Sequence, residues 1–91
     1  MARPRICRRI NFNPKITYFK PRGVPMRDLD EVVLQRDELE ALKLKDLEGF
    51  EQSICAKKMN ISQPTFHRIV ILARKKVSNA LINGKSIKIE V

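Results

Sequence analysis

Apolar residues recur along this chain with two periods, and the change of period marks the elements. Leu39, Ala41, Leu42, Leu44 and Leu47 form a broad apolar face that predicts a helix over 35–48. Gln35 is its cap, Asp37 and Glu38 occupy the first turn, where the helix dipole favours acids, and Gly49 stands where a left-handed terminating residue belongs. A second helix is predicted at roughly 51–59, ending at Asn60, which tolerates positive φ almost as glycine does. A third starts from Ser62 as N-cap, carries Pro64 in its first turn and runs to about Ile82, before Asn83-Gly84 breaks it. On this helix Phe66, Val70, Ala73 and Val77 make a stripe that packs on the first two helices. Ile69, Ile71 and Leu72 widen the apolar surface, enough to cover the N-terminal segment or a second subunit.

Outside 34–82 the pattern is not helical. ITYFK (16–20) is β-branched and aromatic and stops at Pro21, which predicts a short strand. SIKIEV (86–91) alternates Ile87, Ile89 and Val91 against Ser86, Lys88 and Glu90, a half-buried strand. Between these, PRGVP (21–25) is irregular and RDLDEVV (27–33) is a helical turn or a loop. Residues 1–15 read as an extended basic arm, with Pro4 and Pro14 around Arg5, Arg8 and Arg9. The expected fold is mainly α and a single domain. It comprises a basic arm, short strand and loop (1–33), a three-helix helix-turn-helix bundle (34–82) and a C-terminal strand (83–91). The two strands are too little for a stable sheet alone, so they pair with each other within one chain or between two.

The second and third helices have the spacing that a helix-turn-helix requires. Counting from Gln52, Cys55, Met59 and Ile61 are apolar, Ala56 is small enough for the next helix to pass close, and Asn60 supplies the turn. Phe66 and Ile69 close the corner from the other side. Opposite the Phe66 stripe lie Gln63, Pro64, His67, Arg68 and Lys75. In a helix-turn-helix the exposed N-terminal face enters the major groove, where glutamine pairs with adenine edges and arginine with guanine.

Charge points to the same partner. The 91 residues carry a net charge of +9, unevenly placed. Residues 1–27 hold eight basic side chains and no acid, 28–51 hold nine acids against three bases, and 52–91 hold eight bases against one acid, Glu90. Such segregation implies a polyanion met by both ends of the chain while the acidic segment faces elsewhere. The basic segments lack the long amphipathic, aromatic-rich face of an interfacial helix, so nucleic acid is favoured over a membrane surface. The candidate DNA contacts are Ser62, Gln63, Pro64, Thr65, His67 and Arg68 at the start of the third helix, Arg74 and Lys75 toward its end, and Arg3, Arg5, Arg8 and Arg9 on the arm. A homodimer is expected, because such readers usually double their contacts on a two-fold-symmetric site.

Other chemistry finds little support. No Ser/His/Asp set, paired-carboxylate pocket or phosphate-binding glycine loop is present, so an enzyme is not expected, and neither a cofactor nor a small-molecule ligand is implied. With His67 as the one histidine, a zinc site within one chain would need carboxylate or backbone help. Cys55 lies in an apolar pattern as a small buried hydrophobe, and Cys7 is a thiol among arginines. The N-terminus has no apolar segment behind its charges and no run approaches a membrane span, so the expected location is cytoplasmic. Two further readings stand beside DNA binding. One is a protein-interaction module that docks on polymerase or another regulator through the acidic helix 35–48. The other is RNA binding, with stacking surfaces limited to Phe12, Tyr18 and Phe19.

The stretch from Leu34 to Val77 resembles region 4 of bacterial sigma factors in its length, apolar pattern and terminal basic run. Taken together, RPRICRRI, PKITYFKPRGVP, DELEALKLKDLEG, SQPTFHRI and ARKKVSNALINGKSIKIE resemble a small prokaryotic family of predicted DNA-binding proteins of unknown function. That resemblance spans nearly the whole chain, with TYFKP its most specific element. It implies a sigma-region-4-like fold and DNA binding, and it brings no target. The family's pattern has glycine where this chain has Asn60, an acid near Ile54 and an arginine near Gln63.

Overall fold

The computed structural model describes residues 9, 10 and 12–91; Arg3, Arg5, Cys7 and Arg8 lie outside them. In chain order the elements are β1 (Tyr18–Phe19), β2 (Glu31–Leu34), α1 (Arg36–Leu42), α2 (Gln52–Met59), α3 (Gln63–Asn83) and β3 (Ser86–Ile89). The architecture is three helices on a small three-stranded sheet. β3 is the central strand, antiparallel to β1 (Tyr18 opposite Lys88) and parallel to β2 (Val32 opposite Ile87, Leu34 opposite Ile89).

The helix boundaries follow local chemistry. Glu38 turns its carboxylate back onto the Gln35 N–H at 2.8 Å, the return half of a capping box that starts α1. Ser62 accepts the Thr65 N–H at 3.3 Å and starts α3. Asn60 (φ 61°) ends α2 and Gly84 (φ +66°) ends α3, both left-handed as a helix terminator requires. α3 is 21 residues long, the longest of the helices.

It joins two cores. Phe66 and Val70 meet Ala41, Leu44, Cys55, Ala56 and Met59 in the first, with Phe50, Ile61 and Ile69 packed around them. Ala73 meets Leu34 and Ile89 in the second, against Leu39, Val77 and Ile87. The Phe66 stripe therefore packs on α1 and α2 only over its first half; beyond Ala73 it covers the sheet. Cys55 is fully buried, its thiol pushed up in pKa by that burial.

Three expectations change, and the choice between strand pairing within one chain or between two falls to the former. The segment 27–33 is a helical turn only at its start: a 3-10 turn (Met26–Asp28) is followed by strand β2, whose Val32 and Leu34 are buried. The sheet consequently completes itself within one chain, with Tyr18 Oη donating to Ser86 Oγ and Ser86 Oγ to the Asp30 carbonyl (3.0 and 3.2 Å). Ser86, placed by alternation on the polar face, is fully buried by these bonds. Finally, α1 does not continue regularly to 48 but widens into a π turn over Lys43–Leu47, closed by Glu48 N–H donating to the Lys43 carbonyl at 2.9 Å. Each residue of a wider turn advances through a smaller angle, so Leu47 is carried off the apolar face and stands 82% exposed. No helix among the described residues is long and apolar enough to cross a membrane.

Candidate nucleic-acid interface

The turn between α2 and α3 sets the geometry of the candidate site. Asn60 reverses the chain in the left-handed region, the Ile61 N–H donates to the Ala56 carbonyl at 3.0 Å, and Ser62 caps α3 immediately after. Ala56, Met59 and Phe66 are buried at the seam, so the two helices are held at a fixed angle by their own core. The outer side of the α3 start is consequently free. Ser62, Gln63, Pro64, His67 and Arg68 are exposed there, and Thr65 is half-buried.

These side chains are oriented by one another. Thr65 Oγ1 accepts from Ser62 Oγ at 2.9 Å and from Arg68 Nη2 at 3.3 Å, which draws the guanidinium toward the helix N-terminus. Gln52 Nε2 lies 3.1 Å from His67 Nδ1; an amide N–H there requires Nδ1 to accept, leaving Nε2 of the neutral ring as the outward donor. The sequence alone does not single out Gln52, Thr65 as an organiser, or the exposed Lys57 and Lys58 of α2. Helical spacing from Gln52 to His67 across the turn is invisible without the angle between the helices. No acidic residue occurs anywhere in 52–89.

The cations of α3 divide into two kinds. Arg74 donates twice to Asp46 (Nε–Oδ2 3.0 Å, Nη2–Oδ1 2.6 Å), tying α3 to the π turn. That hydrogen bond holds the Asp46 carboxyl below its usual pKa against the opposing effect of burial, and raises Arg74. Lys76 reaches the buried Glu38 at 2.8 Å. Arg68 and Lys75 are exposed and have no acidic partner among the described residues.

The N-terminal segment is not a free arm throughout. The Arg9 N–H donates to the Met59 carbonyl at 3.0 Å, and the Phe12 N–H to the buried Glu40 at 3.1 Å. Arg36 Nη2 meets the Phe12 carbonyl at 3.5 Å. At Arg9 and Phe12 the chain is thus docked on α2 and α1, and Arg9 itself stands beside the α2–α3 turn.

Residues 1–91 match the family model described as "Protein of unknown function DUF134". Over 90 residues, 99% of this chain, it is 59% identical to a UPF0251 protein from Moorella thermoacetica, covering 60% of that protein. It is 57% identical over 90 residues to a UPF0251 protein from Thermoanaerobacter pseudethanolicus, covering 76% of it, and 53% identical to one from Dehalococcoides mccartyi, covering 77%. The chain therefore spans only part of these relatives, three-fifths of the first. No solved structure matches it significantly. A match along the full 91 residues, with identities above one half to several bacterial proteins, makes this chain a member of the UPF0251/DUF134 family.

Proposed function

We propose that the chain is a helix-turn-helix protein of the sigma-region-4 type that binds double-stranded DNA and regulates transcription. One observation carries the reading: the rigid Asn60 turn presents the capped start of α3 outward, with Gln63, Pro64, His67 and Arg68 exposed and no acid from 52 to 89. A helix held by a buried corner fixes its side chains well enough for bidentate contacts to base edges. In this reading Arg68 reads a base, oriented by Thr65, and Gln63 and His67 flank it. Arg9, with Arg3, Arg5 and Arg8 ahead of it, meets the backbone or the minor groove next to that site. Arg74 is left out of the contact set, because its guanidinium is occupied by Asp46.

Electrophoretic titration on promoter fragments and on random duplex tests this. Wild-type protein is expected to prefer some promoter fragments. Arg68→Ala should lose roughly 1–3 kcal/mol of discrimination at one base pair while keeping most of the salt dependence. Neutralising Arg3, Arg5, Arg8 and Arg9 should weaken all duplexes alike and flatten the log–log salt slope by about 0.9 for each phosphate that is no longer neutralised. Equal affinity for every duplex would remove sequence specificity from the proposal.

A second reading has its own observation. An apolar hollow of about 420 Å³, lined by Phe12, Leu39, Leu42 and Leu47 with Lys43 and Asp46 at its edge, opens beside α1. It suits a protein-interaction module that docks on polymerase or another regulator through the acidic segment. If that is the main activity, Leu47→Asp abolishes co-purification with purified RNA polymerase in the presence of nuclease, and Arg68→Ala does not.

A further inference from the structure

The outward face of α3 does not end with the candidate DNA contacts. In its C-terminal half Leu72 is 47% and Ile82 82% exposed, although both are large and apolar. Lys75 and Asn79 lie between them, and the four line one shallow hollow of about 520 Å³. Asn79 Oδ1 accepts from Asn83 Nδ2 at 2.7 Å, which holds the amide in place. The spacing 72, 75, 79, 82 is the apolar-seam spacing of a helix that packs along a second helix.

That order is symmetric about position 77. Laid antiparallel on a copy of itself, α3 sets Leu72 against Ile82 of the other chain at both ends, and Lys75 against Asn79 between them. A surface whose residues pair i with j and j with i is what a two-fold interface demands. We propose that Leu72, Lys75, Asn79 and Ile82 form a two-fold face on which a second copy of this chain packs its α3, and that the pairing is completed on DNA. The dependence on DNA rests on the DNA-binding reading above; the pairing itself does not.

Spacing, direction and area fix the occupant and the condition. First, residues 63–68 centre about 11.5 residues from the midpoint, so at 1.5 Å per residue the two reading segments lie about 34 Å apart. Successive half-sites on one face of B-DNA lie roughly 34–36 Å apart. Second, at 3.6 residues per turn Gln63 and His67 point about 100–140° around the helix from the pairing face, so pairing leaves them uncovered. Arg68 continues the same stripe but lies four residues beyond Leu72, opposite position 86 of the copy and so past the end of its α3. Third, four side chains on one helix fall short of the roughly 800 Å² per partner of a stable interface, and the pairing brings two Lys75 ammonium groups together near the dyad. Phosphates at the centre of the site relieve that repulsion and supply the missing affinity.

Disulfide trapping tests the register. In a Cys7→Ser background, Leu72→Cys/Ile82→Cys should give a covalent dimer under mild oxidation at tens of micromolar protein, a concentration suited to a weak interface. Neither single variant should do so, because each cysteine would face its own copy across about 15 Å, beyond disulfide reach. Adding a random-sequence duplex of 40 base pairs, an order-of-magnitude choice to span both half-sites, should raise the yield of the double variant roughly tenfold through local concentration. Single variants that cross-link as well as the double one overturn the register. A gel shift without cross-linking overturns the dimer face and leaves DNA binding standing. Cross-linking in the expected register with no shift and no effect of duplex upholds the face and removes DNA from the account.

Discussion

The corner between α2 and α3 and the three-stranded sheet are both small, but they are built on opposite principles. Residues 52–66 of the corner are consecutive, and the signals that shape them act within a few residues: a left-handed Asn60, a Ser62 cap, Ala56 at the crossing. The sheet gathers Tyr18, Asp30 and Ser86 into one hydrogen-bonded chain although Tyr18 and Ser86 are 68 positions apart. The corner positions chemistry; the sheet closes the fold around the far half of α3. A lesion in the first should therefore disturb stability and the proposed DNA binding together, and a lesion in the second stability alone.

The largest effect should come from the seam of the corner. Phe66 is fully buried among Ala41, Leu44, Cys55 and Met59, and truncation leaves a cavity that the short helices cannot close. Phe66→Ala should cost about 3–5 kcal/mol, read by chemical denaturation, and in a domain of this size that removes most of the stability. A destabilisation under about 1 kcal/mol would mean that the corner is not a packed unit.

Next is the turn itself. Asn60→Ala puts a Cβ-bearing residue without a compensating polar side chain at φ 61°, costing about 1–2 kcal/mol, whereas Asn60→Gly should be nearly neutral. If the turn forms early, Asn60→Ala slows folding. Ser86→Ala, which removes the link between Tyr18 and the Asp30 carbonyl and costs about 1 kcal/mol, should act mainly by speeding unfolding. Stopped-flow kinetics separate the two. Equal effects on the folding rate would erase the proposed difference between local corner and remote sheet.

The same contrast explains what is legible in the sequence. The corner, both left-handed terminators and the Ser62 cap are readable because each is a matter of neighbouring residues. β1 and β3 are readable as short β-branched runs, but β2 is not. Glu31-Val32-Val33-Leu34 is short, sits beside Asp28 and Asp30, and becomes a strand only because Ile87 and Ile89 lie alongside it. The π turn at 43–47 is hidden for a related reason: Leu47 continues the apolar period in sequence and leaves it only in three dimensions. At the candidate site, the exposure of the α3 start follows from its helical spacing alone. The ties that orient it, Gln52 to His67 and Thr65 to Arg68, and the docking of Arg9 on Met59, depend on the angle between elements.

The smallest effect sharpens the division within α3. Arg74 and Asp46 form a bidentate pair, yet each side chain is 41% exposed, so solvent screens it and its contribution should stay below about 1 kcal/mol. Asp46 has a folded-state pKa below its ordinary 3.8, chiefly through the Arg74 hydrogen bond. A depressed carboxylate pKa stabilises the fold above the unfolded value and loses that contribution as pH falls through the folded one. The pair is therefore at full strength from about pH 5 upward and is lost in the acid range below 3.8. Asp46→Asn should be slightly less stable than wild type at neutral pH, and the gap should close on acidification and shrink in high salt. It should also release Arg74, adding one cation to the outer side of α3. If DNA binding then strengthens and its salt slope steepens by up to about 0.9, Arg74 lies within reach of the phosphates and is kept from them by Asp46. An unchanged slope places Arg74 outside the DNA footprint, as a clamp that holds α3 to the π turn and nothing more.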